Sequence, residues 1–195
     1  MSRPSELILA STSPYRRALL ERLRLPFRTV APEVDEAHRH DEPAAERSRR
    51  LALAKAAAVA ARHPDAAVIG SDQVALCEGR VLDKPGSAPV AIQQLLHLSG
   101  RLASFHTAVV VQFRAGNYFD TFAHVTDVRL RVLGRAEIER YVAAEQPFDC
   151  AGSFRSEALG SVLFEAVHSD DPTGLVGLPL IRLAASLRSL GYALP

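Results

Sequence analysis

Lysine is almost missing from this chain of 195 residues. Of its 23 basic side chains, only Lys55 and Lys84 are not arginine. A chain so biased uses arginine wherever a generic surface cation will do. The two lysines are then either chance survivors of the bias or places that need a compact ammonium on a thin stem. Cysteine is nearly as scarce. Cys77 and Cys150 alone make neither a zinc site nor a disulfide framework, and reduced thiols of a cytoplasmic protein are expected. Neither sign of charge dominates, with 23 basic against 22 acidic residues and a formal net charge of +1. No broad field therefore draws in a nucleic-acid polymer, although a pocket for one phosphorylated small molecule stays open. No apolar run approaches the ~18 residues of a membrane span. The opening segment has only the short apolar stretch Leu7-Ile8-Leu9-Ala10, too little for a signal-peptide core.

Familiar signatures are lacking as well. There is no Gly-x-x-x-x-Gly-Lys-Ser/Thr loop, no Gly-x-Gly-x-x-Gly after a strand, no His-Glu-x-x-His and no Gly-x-Ser-x-Gly. Kinase, dehydrogenase, zinc-protease and α/β-hydrolase readings lose support accordingly.

What is present reads as a single α/β domain with a mixed sheet. Strands are predicted at 6–10, 27–31, 66–77, 80–82, 102–114, 118–133 and 161–168, and Glu78-Gly79 reads as a hairpin turn. The two long strands suggest an antiparallel ribbon. Helices are predicted at 14–24, 43–62, 88–98 and 135–145, with a last one opened by Pro179. Ser13 is a natural N-cap ahead of Pro14, and the alanine-rich second helix reads as amphipathic around Leu51, Leu53 and Val59.

Four patches can carry chemistry. At the first strand-to-helix junction, Ser11 to Arg17, two arginines occupy a helix turn that normally favours acids. An anion seated on the helix N-terminus reverses that penalty; otherwise both arginines simply face solvent. Tyr15 there is either a ligand contact or core, since Tyr15, Leu19 and Leu23 share helical spacing. Second, Asp72 lies inside the apolar strand Ile69-Gly-Ser-Asp-Gln-Val74, which is costly unless it is paired, binds a cation or caps a neighbour. Alternation places Ser71 and Gln73 opposite Asp72 unless the strand bulges. Third, Glu33, Asp35 and Glu36 supply hard oxygens suited to Mg²⁺ or Mn²⁺, or merely a solvated loop. Fourth, Lys84 precedes Pro85, which holds its backbone extended and its ammonium ready for a phosphate oxygen.

Taken together, the segments Leu9-Ala-Ser-Thr-Ser-Pro14 with Arg16, Val34-Asp35-Glu36, Arg50-Leu51-Ala52 with Lys55, Gly70-Ser-Asp-Gln73 and Lys84-Pro85 resemble the Maf family of nucleoside triphosphate pyrophosphatases. Leu98-Ser99-Gly100, Ala151-Gly-Ser-Phe154, Leu159-Gly160 and Gly177-Leu-Pro-Leu180 continue the match over nearly the whole chain. The resemblance implies an elongated mixed sheet flanked by helices, like that of inosine triphosphate pyrophosphatases, with two lobes around an active-site cleft. It implies hydrolysis of the α–β phosphoanhydride to a nucleoside monophosphate and diphosphate. Asp72 takes the role of proton acceptor, Ser11, Arg16, Lys55 and Lys84 surround the phosphates, and Glu36 with Asp72 holds a divalent cation. A homodimer is suggested by the family alone.

Substrate choice in the family is tied to the positions of Tyr15, Gln73 and Glu157. An aromatic and a carboxylate here are similar to the branch acting on 7-methyl-GTP, whose cationic base stacks on an electron-rich ring. Glu157 suits the N1–H and 2-amino donors of guanine, and meets a pyrimidine edge poorly because a carboxylate cannot donate. Two positions depart from the pattern: Ala158 replaces a glycine, and Tyr15 a tryptophan. The alternatives are a pyrophosphatase for dTTP, UTP or another modified nucleotide, or a nucleotide-binding regulator of septum formation.

Overall fold

The computed structural model describes residues 3–195, so the first two residues of the opening segment lie outside it. All four side chains of β1 (Leu7–Ala10) are buried, as befits a strand covered on both faces of a parallel sheet. β1 runs parallel to β2 (Arg28–Thr29) and to β3 (Ala67–Cys77), with Ala10 beside Gly70. β4 (Arg80–Leu82) turns back antiparallel onto β3. β5 (Leu102–Phe113), β6 (Tyr118–Leu130) and β7 (Phe164–His168) complete a seven-stranded mixed sheet of order β2-β1-β3-β5-β6-β7, with β4 on β3. The four-residue turn 114–117 returns β6 beside β5, the long ribbon expected from the sequence.

The chain forms two compact units. One comprises residues up to Gln73 with Thr107–His124 and Asp171–Pro195; the other comprises Val74–His106 and Val125–Asp170. In the first, α1 (Pro14–Glu21) and α5 (Leu180–Ser189) share a core with one face of the sheet, through Leu19, Leu20, Leu183 and Leu187 against Leu7, Leu9, Ile69 and Val109. α2 (Ala44–Arg62) covers the opposite face with Val59 and Ala60 on Ile8, Ala10 and Val68, and Ala52 and Ala56 near Ala108 and Val110. In the second unit α3 (Ala88–Leu98) packs on α4 (Arg135–Glu145). Phe154 links Phe105 and Phe164 there, at centroid distances of 5.4 and 4.8 Å.

Several expectations need correction, among them the strand expected at 27–31, which is only Arg28–Thr29, and that at 118–133, which ends at Leu130. The first helix stops at Glu21 rather than 24, because Arg22, Leu23 and Arg24 close a tighter turn through i→i−3 bonds, and Arg24 adopts φ 54°. The last strand begins at Phe164, not 161, since 159–163 is a 3-10 helix begun at the turn-forming Leu159-Gly160. Leu53 is 45% exposed while Leu51 and Val59 are buried. Residues two apart on a helix point away from each other, so Leu51 and Leu53 never shared a face.

α2 and β3 approach each other closely, backbone against backbone. A Cβ on Gly70 would stand 2.6 Å from the backbone nitrogen of Ala56 and collide with the carbonyl of Ala52. With a glycine on β3 and alanines on α2, the two main chains touch, and every α2 side chain on that face lies deep. Gly70→Ala is therefore expected to cost about 1–3 kcal/mol by overpacking. Chemical denaturation measures this, and unchanged stability would contradict the close approach.

Candidate active site

The junction of β1 and α1 is built as its sequence suggests. The Ser13 side chain caps α1 by accepting from the Arg16 N–H at 3.4 Å, and Pro14 occupies the first turn. The Ser11 hydroxyl, buried at the end of β1, accepts from the Ser13 N–H at 3.1 Å. No acid stands in the first turn. The two arginines part ways here. Arg17 faces solvent and pairs with Glu21 at 3.1 Å, a contact worth little. Arg16 turns inward, and its Nε donates to the Gly177 carbonyl at 3.2 Å. Burial draws the Arg16 pKa down, opposed by the negative charges of Asp72 and Glu36. Tyr15 beside it is half-buried.

Those acids meet on a buried ammonium. Lys55 projects from α2, and its Nζ lies 2.7 Å from Asp72 Oδ1 and 2.9 Å from Glu36 Oε1. Lys55 and Asp72 are each only 6% exposed, whereas the Glu36 side chain is about half exposed. A lysine stem threads through the tight α2–β3 packing where a planar guanidinium is too broad, which accounts for a lysine in so arginine-rich a chain. The loop that carries Glu36 is fastened rather than merely solvated. Asp35 accepts from the Ala37 N–H at 2.9 Å, forming an Asx turn. Arg50 donates from Nη2 to the Ala37 carbonyl at 3.2 Å and grips Glu42 through two bonds of 2.5 and 2.7 Å. That hydrogen-bonded grip holds the Glu42 carboxyl below its ordinary range. Arg50 sits within the sequence pattern, but only the fold reveals it as the anchor.

The opposite face of β3 looks onto the segment 171–179. β3 is regular through Asp72, so alternation holds and no bulge brings Gln73 round. Ser71 Oγ donates to the Gly177 carbonyl at 2.9 Å, the same oxygen that receives Arg16. Gln73 Nε2 donates to the carbonyls of Gly174 and Leu175, at 3.1 and 3.0 Å, and to the Thr107 hydroxyl. Gly177 has φ 117°, and a Cβ there would come within 3.1 Å of Arg16 Nε. Buried Asp171 ties the segment down. Its Oδ1 accepts from the Thr173 N–H and hydroxyl, and its Oδ2 from the Ile181 N–H at 2.7 Å. The Thr173 hydroxyl accepts from Leu180 N–H at 2.8 Å. α5 is thus capped from the loop rather than by its own Pro179. Asp-Pro-Thr-Gly reads as a turn in sequence, and nothing local announces that it seats an arginine from elsewhere.

Lys84 and Glu157 belong to the second unit. Lys84 is exposed, and its peptide neighbours are fixed on both sides. Gln94 Nε2 donates to the Asp83 carbonyl at 2.9 Å, and Gly86 N–H donates to the Phe148 carbonyl. Gln94 is itself held by the buried Ser153 hydroxyl at 2.6 Å. Glu157 is exposed on the loop before the 3-10 helix, and Ser156 Oγ donates to it at 3.3 Å. Ala158 has φ −131°, outside the left-handed region, so replacement of glycine there imposes no left-handed strain.

Among the described residues no cluster of three or more His, Cys, Asp or Glu forms a self-sufficient metal cage. Asp72 and Glu36 nevertheless converge on one point within 2.9 Å of Lys55 Nζ. Two hard carboxylates suit a small divalent cation that completes its shell with water and substrate phosphate.

Residues 6–190 match the family described as Maf-like protein. A protein of Xanthomonas axonopodis pv. citri named 7-methyl-GTP pyrophosphatase is 55% identical over 97% of this chain and 98% of its own length. One of the same name from Aromatoleum aromaticum is 53% identical over 99% and 100%. Among solved structures, the Ham1 protein of Staphylococcus aureus covers 95% of this chain and 99% of its own at a TM-score of 0.53 and 14% identity, a likeness of fold.

Thr173→Val keeps the shape of the residue but leaves the Leu180 N–H without its acceptor. A loss of about 1–3 kcal/mol in denaturant unfolding is expected, and a change within about 0.5 kcal/mol would contradict the role given to this knot.

Proposed function

Because the chain belongs to the Maf family, we propose that it hydrolyses 7-methyl-GTP to 7-methyl-GMP and diphosphate. The observation that carries the reading is the buried Lys55 ammonium joining Asp72 to Glu36, with Arg16 under the field of both acids. The names of relatives above 50% identity across their full lengths support the substrate.

The chemistry follows from the charges. Two carboxylates are balanced by two cations, so a triphosphate brings negative charge that the group itself does not neutralise. Lys84 and a divalent cation are the natural counter-charges. Asp72 and Glu36 would hold that cation, which when bound supplies acidification of the attacking water and neutralisation of phosphate charge. Water adds to the α-phosphorus, the bond from that phosphorus to the α–β bridging oxygen breaks, and diphosphate leaves. Asp72 takes the proton given up by the water. Lys55 keeps the Asp72 carboxylate oriented through its 2.7 Å bond. Arg16, steered by the Gly177 carbonyl through Nε, keeps its terminal nitrogens for phosphate oxygens. Ser11, at the α1 N-terminus, adds a hydroxyl to the same anion seat.

Base choice rests on Tyr15 and Glu157. A methylated, cationic guanine stacks on a tyrosine face, and its N1–H and 2-amino group donate to one carboxylate. A buried polar edge without its partner costs factors of up to about 10⁴ in the strongest cases. Gln73, the third position tied to substrate choice in the family, holds the segment that steers Arg16. We place the activity in the cytoplasm, where a Maf-family pyrophosphatase meets its nucleotide substrate.

Diphosphate release with Mg²⁺ or Mn²⁺ across 7-methyl-GTP, GTP, dTTP and UTP tests the reading. Preference for 7-methyl-GTP is expected; preference for dTTP or UTP would overturn the specificity. Asp72→Asn should lower turnover by at least about 10² while nucleotide still binds. Retained turnover would remove Asp72 from the role of base. Glu157→Gln should lose 7-methyl-GTP activity and gain on pyrimidines, and unchanged selectivity would refute edge reading by Glu157.

A further inference from the structure

We infer that Glu145, on the last turn of α4, is a positioning residue for substrate selection, because its single carboxylate clasps both ends of the loop that carries Glu157. The inference rests on the reading that Glu157 recognises the base.

The loop runs from Arg155 to Leu159. Glu145 Oε1 accepts from Arg155 Nη1 at 3.2 Å, and Oε2 accepts from the Leu159 backbone N–H at 3.2 Å. One turn earlier on α4, the buried Tyr141 hydroxyl accepts from the Arg155 backbone N–H at 3.1 Å. The entry of the loop is thus held onto α4 by side chain and main chain, with a further contact from Arg155 Nη2 to Asp149 Oδ1 at 3.3 Å, and its exit is held onto the same helix by main chain. The Glu145 side chain is only 13% exposed and Arg155 28%, so the pair is shielded from the solvent screening that weakens surface ion pairs. Glu157, in contrast, is exposed at the middle of the loop, where the hydroxyl of its neighbour Ser156 donates to it.

A recognition group whose own side chain is solvent-exposed owes its position to its backbone. Bidentate recognition of two donors on a planar base tolerates only about 0.5 Å of misplacement. The loop supplies little regular structure of its own, since the 3-10 helix starts only at Leu159. The clasp therefore sets where the Glu157 carboxylate stands, whereas the contacts that hold Ser11, Arg16, Lys55 and Asp72 run to Ser13, Gly177, Glu36 and one another. Loss of the clasp should blunt discrimination between bases and leave hydrolysis of a poorly discriminated nucleotide nearly unchanged.

Two variants break the clasp by different routes. Glu145→Gln places an amide donor opposite one of the two donors, whichever way the amide is turned. Leu159→Pro removes the N–H alone, at the first position of a 3-10 helix where proline is tolerated. The kcat/KM values for 7-methyl-GTP and UTP, with thermal melting, are measured for both variants, wild type and Glu157→Gln. In each clasp variant the 7-methyl-GTP to UTP ratio is expected to fall at least tenfold, with kcat/KM for UTP within threefold of wild type. A ratio within twofold of wild type in whichever variants fold, while Glu157→Gln collapses it, would overturn the clasp and leave the proposed function standing. Equal loss on both substrates would also overturn it, as a purely structural role. If wild type lacks the preference, or Glu157→Gln keeps it, the base-reading premise fails and this inference with it.

Discussion

A buried ammonium shared by two carboxylates is the constraint around which this molecule is arranged. Taking Lys55 and Asp72 out of water is expensive, and only excellent geometry recovers that cost. The geometry comes from an unusual intimacy of backbone. Gly70 lets α2 settle on β3 with Ala52 and Ala56 at its surface, so the Lys55 stem reaches the strand without strain. Moving α2 outward by the width of one methyl group would draw the ammonium from Asp72 and leave a carboxylate unpaired inside the sheet. Stability and chemistry are in this sense the same requirement. Glu36, half exposed, joins the pair from the solvent side and gives the ammonium a second partner.

Four of the side chains proposed to meet substrate have a support of their own. Arg50 and Asp35 fasten the loop of Glu36. Gly177, held in place by Asp171 and Thr173, steers Arg16. Gln94 and Ser153 fix the peptide before Lys84, and Glu145 fixes the loop of Glu157. Supports of this kind are built from neutral hydrogen bonds and half-buried ion pairs, which give direction more than energy. They explain how loops between the helices and strands can present several charges at defined places. Arg16 and Arg17 show the principle in miniature: adjacent in sequence and identical in chemistry, one is steered inward by a carbonyl and the other is left to Glu21.

Much of this is legible in the order of residues alone. An aspartate inside an apolar strand announces an unsatisfied demand, and the scarcity of lysine singles out Lys55 and Lys84. Ser13-Pro14 marks the start of α1, and strict alternation along β3 separates Asp72 from Ser71 and Gln73. What stays hidden is whatever depends on distant residues meeting. The Asp171–Thr173 knot looks like an ordinary turn until it is seen capping α5. Arg50 belongs to a recognisable motif, yet nothing local says that it fastens the loop of Glu36. Leu53 misleads because its apolar character says nothing of its angular position on the helix. The 3-10 turn at 159–163 hides inside an apparent strand because Val162 and Leu163 have the same composition in either conformation.

The central claim is that Lys55 and Asp72 act as one unit, and a double-mutant cycle for stability tests it most directly. Lys55→Met, Asp72→Asn and the double variant are unfolded in denaturant beside wild type. The account predicts that Lys55→Met alone costs about 3–5 kcal/mol, because it strands a buried carboxylate, and that adding Asp72→Asn restores at least about 2 kcal/mol of it. Strictly additive losses would contradict the account, for they would show two residues that stand near each other without depending on each other.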